Sequence, residues 1–311
     1  MSTPKISKMH SRKWAEEFPL WVMALPGLLS LLIFNYLPMV GLVMAFQRLN
    51  LQKGIFSSPF CGFDNFKFLF ASTDTAIVIR NTLAYNICFI VINLFLAVFM
   101  ALLLSEVISR KFAKVVQTIY IMPHFLSWPV VAIIVFAFLS PTNGYLNKVV
   151  AALGGPERTN WYMITKPWPY ILTVVNIWKG VGYSSIVYLA AISGISQEYY
   201  EAAMLDGASK VQQARYITVP HLKTMMTILL IMSIGGIFNG DFGLFYTVPK
   251  DSGSLYSVTN VVSTYVYRCM TELSNYGMST AAGLLQSVVG FILVMFSNWV
   301  VNKIEPENAL F

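Results

Sequence analysis

Residues 198–223 read EYYEAAMLDGASKVQQARYITVPHLK, a long polar stretch in an otherwise apolar chain. Ser196 is a predicted N-cap, with Gln197 and Glu198 in the first turn. Glu201 to Leu205 are good helix formers. Gly207 suits the left-handed turn that ends a helix, and a second short helix, Ser209 to Thr218, is expected to stop before Pro220. The stretch thus reads as helix–glycine–helix lying on a membrane surface. Tyr199, Tyr200, Met204, Val211 and Ile217 are its expected apolar anchors, and Glu198, Glu201, Asp206, Lys210 and Arg215 its polar side.

The membrane follows from composition. Of 311 residues 56% are hydrophobic and 11% charged, and the mean hydropathy is +0.63. A soluble domain carries about 25% charged residues, so this chain cannot cover a water-facing surface. Six segments are long and apolar enough to span: about 20–46, 82–104, 116–139, 169–192, 222–243 and 279–302. They lack the period-2 alternation of barrel strands, so an all-α membrane protein of six transmembrane helices is expected. Residues 1–19 form an N-terminal segment, 20–311 the transmembrane domain, and 193–221 the loop that holds the hairpin. Pro26, Pro38, Pro123 and Pro129 predict kinks that face protein. The basic start MSTPKISKMHSRKW leads into an uncleaved first span.

The net charge of +7 is read as loop charge rather than a nucleic-acid footprint. Lys and Arg are denser in the N-terminal segment, the 105–115 loop and the hairpin than in the alternate loops, which places both termini and the hairpin in the cytoplasm. Cys61, Cys88 and Cys269 have no metal or redox spacing. His10, His124 and His221 are scattered, and His124 is read as a packing residue. There is no G-x-x-x-x-G-K-[ST] loop for ATP and no nucleophile motif, which argues against an intramembrane enzyme.

The hairpin sequence EAAMLDGASKVQQARYITVP resembles the EAA loop of binding-protein-dependent ABC importers, in which EAA-x-x-DGA precedes I-T-x-P. Glu201, Ala202, Ala203, Asp206, Gly207, Ala208, Ile217, Thr218 and Pro220 match. Ala214 stands where a bulky residue is common, and Thr224 replaces a frequent second proline. LPGLLSLLIFNYLPMVGLVMAFQ, GFDNFKFLF, QTIYIMPHFLSWPVVA, LSPTNGYLNKVV and VNIWKGVGYSSIVYLAAISGI extend the likeness to permeases of the carbohydrate uptake type 1 group, closest to its polysaccharide and oligosaccharide branch in Gram-positive bacteria. The resemblance implies a type I permease in the bacterial plasma membrane, paired with a second homologous permease. It also implies two cytoplasmic ATPase subunits that hold ATP and Mg, an extracellular lipid-anchored binding protein and an oligosaccharide cargo. This chain itself would bind no cofactor and no metal.

Similarity to maltose-type permeases also marks a sugar path. The N-x-W-x-G-x-x-Y run gives Asn176, Trp178, Gly180 and Tyr183, and the segment GGIFNGDFGLFY gives Asn239, Asp241 and Phe242. Amides, carboxylates and aromatic faces are what sugars require. Lys179 is a charge in mid-span, expected either to meet an acidic sugar or to pair with Asp241. Gly236-x-x-x-Gly240, with Gly235 and Gly243, is a close-approach face toward span three or toward a partner permease. The alternatives are an importer permease for a non-sugar solute and a secondary transporter, the latter disfavoured by the absence of a clear repeat.

Overall fold

The computed structural model describes residues 7–71, 73–306 and 309–310. Lys5, in the basic N-terminal run, lies outside them. The first helix, α1 (Ser7–Leu31), widens into a π turn (Leu32–Tyr36) and tightens into a 3₁₀ segment (Leu37–Phe46) at Pro38. Loop residues Gln47 and Phe60 form an isolated antiparallel bridge; no strand occurs among the described residues. Then come α2 (Asp64–Ala71), α3 (Thr73–Ser105), α4 (Arg110–Ile121), a 3₁₀ turn (Met122–Phe125), α5 (Trp128–Leu139) and α6 (Tyr145–Ala152). The rest comprises α7 (Trp168–Ser193), α8 (Gln197–Leu205), α9 (Lys210–Gln213), α10 (Val219–Gly235), α11 (Tyr256–Thr259), α12 (Val262–Thr271) and α13 (Tyr276–Ile304).

Among the described residues four helices are long and apolar enough to cross a membrane: Glu17–Phe46, Asp74–Ser105, Lys210–Gly235 and Tyr276–Ile304. The expected six are reached only by taking the bent pair around residue 126 as one span and adding α7. That helix is long enough at 26 residues but more polar. The spans expected at 82–104, 169–192 and 279–302 lie inside α3, α7 and α13.

Two spans differ from expectation. Segment 116–139 is not one rod, because Lys111–Phe125 and Trp128–Leu139 meet at 101°. Pro123 cannot donate to the preceding turn and Pro129 fixes a new helix start, so the ladder stops and restarts within six residues. Segment 222–243 ends at Gly235, and residues 236–241 are non-helical before a π turn at Gly243–Thr247. Of the four span prolines only Pro123 is buried; Pro26, Pro38 and Pro129 are exposed on this chain.

Two of the three apolar clusters among the described residues hold the helices around the site. One joins α3, α5 and α7 to the Gly243–Thr247 turn through Tyr85, Phe89, Val131, Leu172, Val175 and Phe245. The other, toward the hairpin, joins α3, α7 and α10 through Ala97, Ala101, Tyr188, Ile192 and Leu222. The glycine face is shared out rather than given to one partner. A Cβ on Gly235 would lie 2.3 Å from Val294 Cγ2, one on Gly240 2.8 Å from Val261, and one on Gly243 1.9 Å from Trp128 Cδ1. At the end remote from the hairpin, Arg268 donates to Asp251 at 2.6 Å and to Asn260 at 2.8 Å, with its guanidinium over the Tyr256 ring.

Gly182 seats α7 against the end of α4, where a Cβ would lie 2.2 Å from the Tyr120 carbonyl oxygen. Gly182→Leu is therefore expected to lower the thermal unfolding midpoint of the purified protein, at a cost of about 1–3 kcal/mol from overpacking. Arg268→Met leaves the Asp251 carboxylate and Asn260 without their shared partner. It should cost about 3 kcal/mol in the same measurement, and the removal of one partner of a buried pair is the reason.

Candidate functional site: the surface hairpin and the unwound pathway face

The hairpin forms as its residues dictate. The Ser196 hydroxyl accepts from Glu198 N–H at 3.3 Å and caps α8. Gly207 ends α8 at φ +78°. Ala208 N–H donates to Ala203 O at 2.9 Å and Gly207 N–H to Met204 O at 3.1 Å, a Schellman closure that needs a residue tolerant of positive φ. Ser209 and Gln212 cap α9 reciprocally, with Ser209 N–H on Gln212 Oε1 at 2.7 Å.

The expected stop before Pro220 does not occur. A π turn (Ala214–Thr218) carries α9 into α10, and Pro220 falls in the first turn of α10, where its missing N–H costs little. The hairpin is thus a direct extension of α10, and a three-residue link joins it to α7.

The expected anchors are also redistributed. Tyr199, Met204 and Val211 are exposed, as are Leu205 (90%) and Tyr216, while Tyr200 and Ile217 are half-buried. The residues that tie the hairpin down are polar. Gln213 and Thr218 are buried, and the Tyr200 and Thr218 hydroxyls share a hydrogen bond at 3.0 Å. Lys210 pairs with Glu106 at the end of α3 at 3.0 Å. Glu201, Ala202, Asp206 and Gly207 are exposed, and Ala203 and Ala208 are half-buried. Glu106 escaped the sequence reading because its pairing joins residues far apart in the chain.

The pathway residues do not gather into one pocket. Tyr183 stacks on His124, with ring centroids 4.5 Å apart, and Lys179, one turn earlier, faces the same break between α4 and α5. Gly180 instead faces Asn93 of α3, with a Cβ 3.4 Å from its amide. Trp178 is 42% exposed and Asn176 half-buried. Asn239 pairs with Gln286 of α13. Phe242 stacks on Tyr246 at 4.8 Å and meets Tyr267 of α12 at 4.9 Å. Phe242, Tyr267 and Gln286 border a cavity of about 300 Å³. Tyr246, Tyr267 and Gln286 were not singled out from sequence, because no local motif marks them.

Lys179 makes no ion pair with Asp241. Its ammonium donates to the carbonyls of His124 and Leu126, both at 2.7 Å, and reaches that of Pro123 at 3.5 Å. Its Nζ also stands 5.2 Å from the centre of the Trp128 ring. These carbonyls belong to the break; that of Pro123 also accepts from Leu126 N–H at 3.2 Å, and the ammonium serves the other two, so the charge is spent on the fold. Asp241 accepts from Leu244 N–H at 3.3 Å, with Lys179 in electrostatic reach.

Residues 93–306 match the model of the binding-protein-dependent transport system inner membrane component family. The chain is 35% identical over 289 residues to protein LplB of Bacillus subtilis, covering 93% of this chain and 90% of that one. It is likewise 35% identical over 299 residues to YteP of the same species, a polygalacturonan/rhamnogalacturonan transport system permease protein, covering 95% and 91%. Among solved structures it resembles a bacterial ABC transporter involved in the import of the acidic polysaccharide alginate. The TM-score is 0.86 at 34% identity, over 96% of this chain and 99% of that one. A second crystal structure, in complex with an alginate pentasaccharide-bound periplasmic protein, gives a TM-score of 0.83 at 34% identity over 94% and 97%. The fold is that of a type I ABC importer permease. With over half of its length matched, the chain belongs to the binding-protein-dependent transport system inner membrane component family.

Proposed function

We propose that this chain is the transmembrane permease subunit of an ATP-driven, binding-protein-dependent oligosaccharide importer. It forms half of the translocation pathway in a bacterial plasma membrane, with both termini and the hairpin cytoplasmic. The observation that carries the coupling role is the hairpin itself. It is a capped, rigid unit, continuous with α10, three residues from α7, and covered by exposed Leu205, Val211, Met204 and Tyr216. An apolar face of this kind on a chain end of two spans is suited to a groove in a partner subunit, and closure of that partner moves both spans together.

In this reading Glu201, Ala202, Ala203, Asp206, Gly207 and Ala208 engage two cytoplasmic ATPase subunits, which hold ATP and Mg and perform all covalent chemistry. A second, homologous permease supplies the other half of the path, and an extracellular lipid-anchored binding protein delivers the sugar. Oligosaccharide as cargo is supported by the names of the relatives and by the aromatic and amide character of Asn239, Phe242, Tyr246, Tyr267 and Gln286.

The test is ATPase activity of the whole complex reconstituted in lipid, with the binding protein and a panel of oligosaccharides. A sugar-loaded binding protein should stimulate the wild type. Gly207→Pro, which cannot adopt φ +78°, and Leu205→Asp should each lose about tenfold or more of that stimulation while the complex still assembles. Equal stimulation of both variants would show that the hairpin does not transmit the signal. Absence of stimulation by any sugar in the wild type would overturn the oligosaccharide reading.

A further inference from the structure

The break between α4 and α5 is held from three sides. Lys179 of α7 binds its carbonyls at 2.7 Å. The Ser185 hydroxyl of α7 donates to the Tyr120 hydroxyl of α4 at 2.9 Å. Trp128, the first residue of α5, packs on Gly243 so closely that a Cβ there would lie 1.9 Å from its ring. Lys179 and Gly243, two residues after Asp241, therefore meet the same indole. Lys179 and Asp241 lie on the chain paths that leave the hairpin, Lys179 on α7 and Asp241 just beyond α10.

An ammonium has three protons to donate, and here they are spent on neutral carbonyls, while the Asp241 carboxylate lies within electrostatic reach. A bond to a carboxylate is roughly twice as strong as one to a neutral acceptor. The Asp241 carboxylate is thus an alternative acceptor, which a small shear of α7 against the end of α10 would bring to the ammonium. Gly236 to Asp241 is non-helical and able to take up that shear, whereas α7 is a continuous helix.

We infer that Lys179 and Asp241 are positioning residues of the transport cycle. In the arrangement seen here Lys179 latches the 101° break, and movement of the hairpin transfers its ammonium to Asp241, releasing α5 to swing relative to α4. Neither residue needs to touch the sugar. The inference rests on the coupling role proposed for the hairpin, and the experiment separates the two.

Spin labels at Ile119→Cys on α4 and Phe138→Cys on α5, both exposed, report the angle of the break in a chain whose Cys61, Cys88 and Cys269 are replaced by Ala. Distances are measured by pulsed electron resonance on the full reconstituted complex, without nucleotide and after trapping with ATP and vanadate. The wild-type distance should shift on trapping. Asp241→Asn keeps the size and hydrogen bonding of the side chain, so its thermal unfolding midpoint should stay close to wild type. The trapped shift should nevertheless be lost, and binding-protein-stimulated ATPase should fall about tenfold. Lys179→Met should lower the unfolding midpoint as well, and Lys179→Arg should restore it without restoring full turnover, because a planar guanidinium does not reproduce three divergent donors.

If Asp241→Asn keeps both the shift and the stimulation, the latch is wrong and Lys179 is purely structural. If the wild type is stimulated without any change in distance, α5 does not swing and the latch is equally overturned. If the wild type shows neither stimulation nor shift, the coupling reading falls, and the latch with it.

Discussion

Inside a bilayer there is no water to satisfy a freed backbone group, so a helix broken in mid-membrane survives only where the protein supplies partners. The break at residues 122–127 is such a place, and the Lys179 ammonium meets it. An unpaired carbonyl or an unpaired ammonium in that setting costs several kcal/mol, and bringing them together removes both penalties. Around this point the rest is arranged. Gly182 allows α4 to end against α7, His124 stacks on Tyr183, and Trp128 starts α5 by packing on Gly243.

The same logic explains why span five ends at Gly235. Gly235 brings the backbone of α10 onto α13, where a Cβ on Gly290 would stand 2.7 Å from the Gly235 carbonyl oxygen. Beyond it the chain unwinds through Gly236–Asp241 and turns again at Gly243–Thr247, presenting Asn239, Phe242 and Tyr246 from non-repetitive backbone. Irregular backbone at this depth belongs to a cavity wall rather than to a lipid face. Here it borders the space between α12 and α13 lined by Tyr267 and Gln286. At the opposite end the hairpin is rigid for local reasons, since both helices are capped and the turn is closed by Gly207. The two regions are thus built differently, one from capped helices and one from irregular backbone, with α7 and α10 running between them.

Much of this was legible in the chain itself. Composition imposed the membrane, and apolar run length placed the spans at 82–104, 169–192 and 279–302 within helices that the structure extends by a few residues. Ser196, Gly207 and Ser209 declared the hairpin because capping and positive φ are local requirements, met by particular residue types whatever surrounds them. The family followed from the hairpin motif.

Tertiary structure alone decided what depends on partners distant in sequence. Apolar run length cannot distinguish a straight span from one bent by 101°, since a bend changes no hydropathy, and two prolines state only that the ladder is interrupted. Pro220 sits in a continuous helix because a π turn precedes it, an accommodation made by packing of the buried Gln213 and Thr218. The charge of Lys179 was visible, but the acceptors that solvate it are backbone carbonyls more than fifty residues away, and every sequence contains carbonyls. The sequence by itself determined the solvent, the helical class and the local caps, which are properties of neighbouring residues. The fold decided where each span breaks and which polar group answers it, because those are properties of the space between helices.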